Sequence, residues 1–408
     1  MMKIVQINAT YGTGSNGRLA KQIADYVSFK KEESFFVYAN GKASAGNIQI
    51  GGMLDHKLHA LLSRLTGLQG YFSWFETKMM IKRLKTINPD VIHIHNLHSN
   101  YINLRLLFNY VSKNNIGLVL TLHDCWYFTG KCVHPIFANC NRFQHTCKDC
   151  PQLKSDRINP TLFFDTSTKC QADKYHWFHE VSYDKLYVVG VSKWITQEAA
   201  ISKIFSDRHC VTIYNWVDRK QFFYERDSKV ESLYGISSNQ KTVLIVASQM
   251  SDRKGYRELL YLADILPKEY QIVYVGDAGS LFMPSRIIHI HRTENIKELR
   301  NIYSAANVCV NLSYGETFGM VTVEAMSCGT PVIVYNNTAS PELVGPGCGL
   351  VINQQENFFP IIDAIKDICS NNKSFYVEKC MDFAHDRFDK DKSLEAYYQL
   401  YKRLGCHV

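Results

Sequence analysis

Short β-branched runs recur along this chain, each parted from the next by a longer segment mixing polar and apolar residues. That alternation is the pattern of βα units laid on a parallel sheet. In the first half the strand candidates are Lys3–Asn8, Ser34–Tyr38, Val91–His95, Gly117–Thr121 and Leu186–Val191. In the second half they are Thr242–Ala247, Gln271–Val275, Ile287–His291, Val308–Leu312 and Pro331–Tyr335. Two such sets predict an α/β chain of two doubly wound, Rossmann-like domains in tandem, and 408 residues suffice for two cores. The segment Val211–Phe223 falls between the sets and reads as the linker. Expected boundaries are 1–213, with a cysteine-rich insertion near 125–160, then 214–386, then 387–408. That last piece is a helix expected to pack back on the first domain.

A hydrophobic fraction of 46% against 21% charged residues belongs to a globular protein with a large core. No low-complexity tract or 20–50-residue repeat argues for a solenoid or propeller. The opening MMKIVQINATYG reads as a core strand without the h-region of a signal peptide, and no apolar run approaches the roughly 20 residues of a membrane span. The expectation is a cytoplasmic protein, with peripheral contact on the inner face of the cell membrane where the surface allows it. A net charge of +8 favours polyanionic partners, whether nucleic acid, an anionic membrane face or phosphorylated substrates.

In an open parallel sheet, ligands bind beyond the carboxyl ends of the strands. After Val308–Leu312 comes Ser313-Tyr314-Gly315-Glu316-Thr317-Phe318-Gly319, then a helical run ending near Ser327, with Gly329 suited to its C-cap. The backbone N–H groups of Gly319, Met320 and Val321 would open that helix as an anion site fit for a diphosphate. Glu316 before the helix and Glu324 within it are placed to accept hydrogen bonds from sugar and ribose hydroxyls. The plainer alternative, a macrodipole-favoured glutamate and a solvent-facing one, would suit a bare E-x7-E. It fits poorly with the Gly-x-Phe-Gly lead-in and the Ala-Met-Ser-Cys-Gly-Thr-Pro that follows.

This segment resembles the retaining family-4 glycosyltransferases of GT-B fold, and the likeness extends over nearly the whole chain. The resemblance implies two Rossmann-like domains facing an interdomain cleft, the first on the acceptor side and the second binding a nucleotide sugar. It implies that Glu316 contacts the donor sugar and Glu324 the nucleotide ribose. It also implies catalysis with retention, while the helix N–H groups with Arg253 and Lys254 would stabilise the departing diphosphate and remove the need for a divalent ion. Consistent with that, the one obvious D-x-D candidate, Asp389-Lys390-Asp391, lies in the C-terminal tail.

Other donor-site pieces follow strands. Arg253 and Lys254, closed by Gly255, make a diphosphate clamp; the alternative is a solvated basic turn. In similar transferases an Arg…Lys-Gly element neutralises the leaving diphosphate, although the two cations are usually further apart. Val275-Gly276-Asp277-Ala278-Gly279 resembles the family's Gly-x-Gly element near the base, and His291-Arg292 falls where relatives meet the nucleobase.

In the first domain, YGTGSNGR at 11–18 follows a strand and opens a helix, so its glycines permit close approach to phosphate. It is out of register with G-x-G-x-x-G, and no acidic residue convincingly ends the second strand, which disfavours a dinucleotide dehydrogenase. The family uses this loop at the cleft, through Gly14, Ser15 and Gly17. His123, ending a strand, is expected to hydrogen-bond the donor sugar or position the acceptor; a satisfied structural histidine is the alternative. His93, His95 and His98 alternate as strand residues do. Structural or acceptor-cleft roles are preferred to metal binding, because no acidic or cysteine partner shares their spacing. Leu58–Lys85 mixes aromatics with Arg64, Lys78, Lys82, Arg83 and Lys85, a surface for anionic lipid or a lipid-diphosphate acceptor, or else an ordinary amphipathic helix pair.

Cys132, Cys140, Cys147 and Cys150 lie in one short stretch, and only the last pair has C-x2-C spacing. In a reducing compartment such a cluster favours metal over disulfide. Structural zinc is the first reading, ahead of unligated thiols and an iron–sulfur cluster. Similar cysteines occur in a subgroup resembling colanic-acid and other exopolysaccharide transferases, which implies bacterial surface-polysaccharide assembly.

The expected partners are a nucleoside-diphosphate sugar donor and a saccharide or lipid-linked acceptor, with no catalytic cofactor and no nucleic acid. Two rivals stand. A nucleotide-sugar epimerase or hydrolase would share the fold. A zinc-containing nucleic-acid binder would need a basic stripe and paired knuckles.

Overall fold

The computed structural model describes residues 1–42, 46–156, 159–293, 295–355 and 358–405. Two compact units emerge: unit 1 takes Met1–Ile213 and the chain from Leu394 onward, and unit 2 takes Tyr214–Ser393.

Unit 1 is built on a seven-stranded sheet of β1 (Lys3–Thr10), β2 (Glu33–Asn40), β3 (Ile48–Gln49), β4 (Val91–Ile94), β5 (Gly117–Leu122), β6 (Leu186–Gly190) and β7 (His209–Thr212). All pairings are parallel, in the order β3-β2-β1-β4-β5-β6-β7. Every residue of β4 and β5 is buried, as expected where helices cover both faces of a parallel sheet. Strand order reverses between β1 and β4, so the two chain segments leaving them part to opposite sides and open a crevice.

Unit 2 carries a six-stranded parallel sheet of β8 (Lys241–Gln249), β9 (Tyr270–Asp277), β10 (Ile287–Ile290), β11 (Val308–Asn311), β12 (Val332–Tyr335) and β13 (Gly349–Ile352). Its order is β10-β9-β8-β11-β12-β13, which sets the reversal between β8 and β11.

Three strands were not anticipated, and all lie on sheet edges: β3, β7 and β13. The first residues of the expected linker, Val211 and Thr212, belong to β7 and pair with Val189 and Gly190 of β6. The linker reading is therefore corrected there. The C-terminal helix runs Lys390–Gly405, and from Leu394 onward it belongs to unit 1. Buried Tyr397 and Tyr401 on this helix reach Thr121 and His93 beneath the sheet. Asp389 of the D-x-D candidate accepts the Lys392 N–H at 2.8 Å and so caps that helix.

Candidate donor site and its counterpart in unit 1

The strongest sequence motif in unit 2 falls at the sheet's reversal point. The turn after β8 carries Arg253 and Lys254, and the loop after the neighbouring β11 carries Glu316. The two loops are interlocked. The Tyr314 N–H donates to the Arg253 carbonyl at 2.9 Å. Gly255 has φ +83°, and a Cβ built there would lie 2.1 Å from Leu312 Cβ, so only glycine lets the turn sit against β11. Lys254 Nζ reaches Glu316 Oε1 at 2.5 Å, and both side chains keep part of their surface in solvent. This pair places a cation and a carboxylate side by side at the crevice mouth.

Gly319, at φ +103°, caps the helix Met320–Ser327, and Gly329 leaves it at φ +70° in the left-handed conformation of a C-terminal cap. Met320 and Val321 therefore form the first turn of that helix, close to Glu316. Asn311 Nδ2 donates to Thr322 Oγ1 at 3.1 Å, tying the end of β11 to the same turn. One turn further in, the Glu324 carboxylate accepts the Tyr303 hydroxyl at 3.0 Å. Tyr303 is buried and stands on the helix Ile296–Ala305.

Gly276, near the end of β9, passes so close to β8 that a Cβ would fall 1.7 Å from the Ala247 carbonyl oxygen. Gly279 donates its N–H to Asp277 Oδ1 at 2.8 Å, closing a tight turn. His291 and Arg292 follow β10 at the sheet edge and are exposed.

Sequence reasoning missed Thr338. Its hydroxyl oxygen accepts the Glu316 N–H at 2.8 Å, and the next residue, Ala339, donates its N–H to the Glu316 carbonyl at 3.2 Å. Thr338 has φ +51°, a conformation that a β-branched residue rarely adopts. Such strain clusters where a backbone is held for function. No local motif marks it.

In unit 1 the chain after β1 turns through Gly12 and Gly14, at φ +65° and +67°, into the helix Gly14–Phe29. Gly14 and Ser15 are exposed at its start. Gly17 is buried instead, where a Cβ would meet Thr10 Oγ1 at 2.5 Å; it packs the helix onto β1.

A histidine network begins on β4 and β5 and continues past their ends. His93 bridges the Tyr401 hydroxyl at 2.6 Å and Thr121 Oγ1 at 2.7 Å. His95 joins Gln6 Oε1 at 2.9 Å and His123 Nε2 at 3.1 Å. Burial pushes His93 and His95 well below the usual imidazole range. It takes His123 down to about 4, with Asp124 only partly offsetting, so His123 is neutral at pH 7. An acidic partner does reach His98 from outside the local spacing: His98 Nε2 pairs with Asp124 Oδ2 at 2.9 Å. Burial alone would raise the Asp124 carboxyl, but His98 and the Trp126 N–H outweigh it and hold Asp124 at about 2. This cluster can offer neutral imidazole and a fixed carboxylate to hydroxyl groups.

Cys132, Cys140, Cys147 and Cys150 of the insertion line one small cavity. Among the described residues, no group of three or more His, Cys, Asp or Glu stands where it could hold a metal ion. Likewise, no described helix is long and apolar enough to cross a membrane.

Residues 234–385 match the family described as glycosyl transferases group 1, so this stretch of unit 2 is a group 1 glycosyl transferase domain. Among curated proteins, the chain is 22% identical over 369 residues to WcaC of Escherichia coli (strain K12), a protein named for colanic acid biosynthesis glycosyl transfer. That match covers 87% of this chain and 88% of WcaC. It is 25% identical over 342 residues to a 41.2 kDa protein in the cps region of Klebsiella pneumoniae, covering 79% and 82%. Among solved structures, it resembles Anabaena HepE in complex with UDP and glucose, at TM-score 0.67 and 16% identity over 98% of this chain and 100% of that one. A sucrose-phosphate synthase from Thermosynechococcus elongatus gives TM-score 0.70 at 16% identity, covering 99% of both chains. The chain has the GT-B fold and carries a glycosyl transferase group 1 domain over residues 234–385.

Proposed function

We propose that this protein is a glycosyltransferase that moves a glycosyl unit from a nucleoside-diphosphate sugar to a saccharide or lipid-linked acceptor in bacterial surface-polysaccharide biosynthesis. The observation that carries the donor reading is the Lys254–Glu316 pair at the β8/β11 reversal, beside the N-terminus of the helix Met320–Ser327. A diphosphate seated there meets Arg253, Lys254 and the N–H groups of Gly319, Met320 and Val321. As the sugar C1–O bond breaks, its electron pair stays on the departing diphosphate, and these donors stabilise the growing charge. In this reading a divalent ion is not required. Glu316 accepts from the transferred sugar's hydroxyls and Glu324 from the ribose. The acceptor hydroxyl attacks on the leaving-group face with retention, and its proton passes to the diphosphate.

Support for the biological setting comes from the relatives named for colanic acid biosynthesis and for the cps region. Support for the donor class comes from a neighbour of like fold holding UDP-glucose. An anionic or lipid-linked acceptor is favoured by a cavity of about 410 Å³ on unit 1, lined by Lys78, Lys82, Lys85 and Lys113. Beside it are the exposed Trp74 and Phe75.

The test is a nucleotide-sugar screen reading nucleoside-diphosphate release with and without acceptor saccharides. The expected outcome is acceptor-dependent release from one donor, lowered at least about 100-fold in Glu316→Ala. Acceptor-independent hydrolysis or epimerisation, or an unimpaired Glu316→Ala, would overturn the reading.

A further inference from the structure

The chain from His123 to Thr166 is long for a connection within a compact domain, and its described part holds only two short 3-10 turns, Pro135–Ala138 and Arg142–Gln144. Segments of this length without regular structure generally need another means of being held. Much of it is nonetheless inside the protein: Trp126, Phe128, Lys131, Cys132, Val133 and Phe143 are all buried.

What this segment shares in space is sulfur. Cys132, Cys140, Cys147 and Cys150, irregularly spaced in sequence, all line one cavity of about 20 Å³. We propose that these four thiols bind a single structural zinc ion as thiolates and that this ion staples the insertion.

Three features of the surroundings carry the proposal. First, the cysteine backbones are already fixed by the protein. Cys147 donates its N–H to Gln171 Oε1 at 2.8 Å and accepts the Thr168 hydroxyl on its carbonyl at 2.6 Å. Cys150 donates its N–H to Asp165 Oδ2 at 2.7 Å. The tight Cys147–Cys150 turn is sustained by Asp149 at φ +47°. Arg142 clamps that turn from outside by donating to the Lys148 carbonyl at 2.6 Å and to the Asp149 carbonyl. Second, the sulfur of Cys147 accepts the Gly130 N–H at 3.2 Å, an outer contact of the kind that orients and tunes metal-bound thiolates. Gly130 has no room for a side chain, since a Cβ would stand 2.5 Å from the Ser167 carbonyl oxygen. Third, Lys131, Arg142 and Lys148 line the same cavity, so positive charge is at hand to offset a four-thiolate centre.

The donor set selects among metals. Four soft thiolates suit zinc or an iron–sulfur cluster. A single zinc ion in tetrahedral sulfur is the occupant that needs no inorganic sulfide. The thiols do not stand as a finished metal site, so binding must draw them inward over the last distance and release their protons. Metal binding and ordering of the insertion are then linked.

The experiment uses the full chain, purified without chelator and analysed by plasma mass spectrometry. About one zinc per chain is expected, falling at least about tenfold in Cys147→Ser/Cys150→Ser and unchanged in Cys210→Ser, which alters a cysteine on β7. Cobalt exchanged into the wild-type protein should give the intense thiolate-to-metal absorption of a tetrahedral sulfur site, a readout that does not depend on any variant folding. Zinc near zero, iron with acid-labile sulfide in its place, zinc retained by the double variant, or disulfides among these four cysteines would each overturn the proposal.

Discussion

Glu316 is held from three directions: its N–H by the Thr338 hydroxyl, its carbonyl by the Ala339 N–H, and its carboxylate by Lys254. A residue gripped on both backbone and side chain has little freedom left when a ligand arrives, which is what orientation for catalysis requires. Thr338→Val keeps the shape and removes the hydroxyl. It should lower kcat about tenfold with little change in donor KM, since one hydrogen bond of roughly 1.4 kcal/mol is lost from the residue proposed to meet the sugar. Equal kcat in the two proteins would separate Thr338 from function. The buried histidines set an acid limit. His123 takes up a proton near 6.5 when unfolded but only near 4 when folded. Between these values the unfolded state holds more protons, so stability present above pH 6.5 is lost as pH falls toward 4. For His123 alone the loss approaches roughly 3 kcal/mol. Urea unfolding at pH 7 and pH 4.5 should show it, with a smaller difference in His123→Asn.

At the scale of elements, the site depends on how closely the turn after β8 sits against the end of β11. Gly255→Ala forces a Cβ into Leu312 on a left-handed backbone and should cost about 2 kcal/mol or more of stability. Gly14→Ala is the control: φ is +67° there, yet nothing lies within 4 Å of the added atom, so about 1 kcal/mol is expected. Denaturation midpoints give the comparison, and equal losses would mean that contact with β11 is not what Gly255 provides. The same elements show what a sequence reveals. Core strands such as VIHI and GLVLTL announce themselves because both faces are buried and the run is apolar. The edge strands IQ and HCVT do not, being short and only partly covered. Glu316 was legible because its helix, caps and strand are contiguous in the chain. Thr338 was not, since 22 residues separate it from Glu316. The His98–Asp124 pair, 26 residues apart, likewise exists only through the pairing of β4 with β5.

At the scale of the molecule, an excess of positive charge coincides with a local surface. The helices Met53–Thr66 and Trp74–Ile87 expose Leu54, Leu58, Leu61, Trp74 and Phe75, and Lys78, Lys82 and Lys85 line the adjacent cavity. Apolar side chains beside clustered lysines match an anionic lipid face, each nearby lysine adding about 1 kcal/mol. Sedimentation with phosphatidylglycerol vesicles should therefore weaken at least about tenfold in Lys78→Glu/Lys82→Glu/Lys85→Glu, and in the wild type as salt rises. Binding indifferent to both would remove lipid as the surface's partner. The account as a whole stands on unit 2 holding a nucleoside diphosphate at the β8/β11 reversal. Calorimetric titration of UDP, GDP and ADP into the wild type and Lys254→Ala tests this most directly. One of the three should bind the wild type, with affinity lower by about 10- to 100-fold in the variant, as expected for a lost charge-assisted contact of roughly 1.5–3 kcal/mol. No binding of any of the three, or equal binding to both proteins, would contradict it.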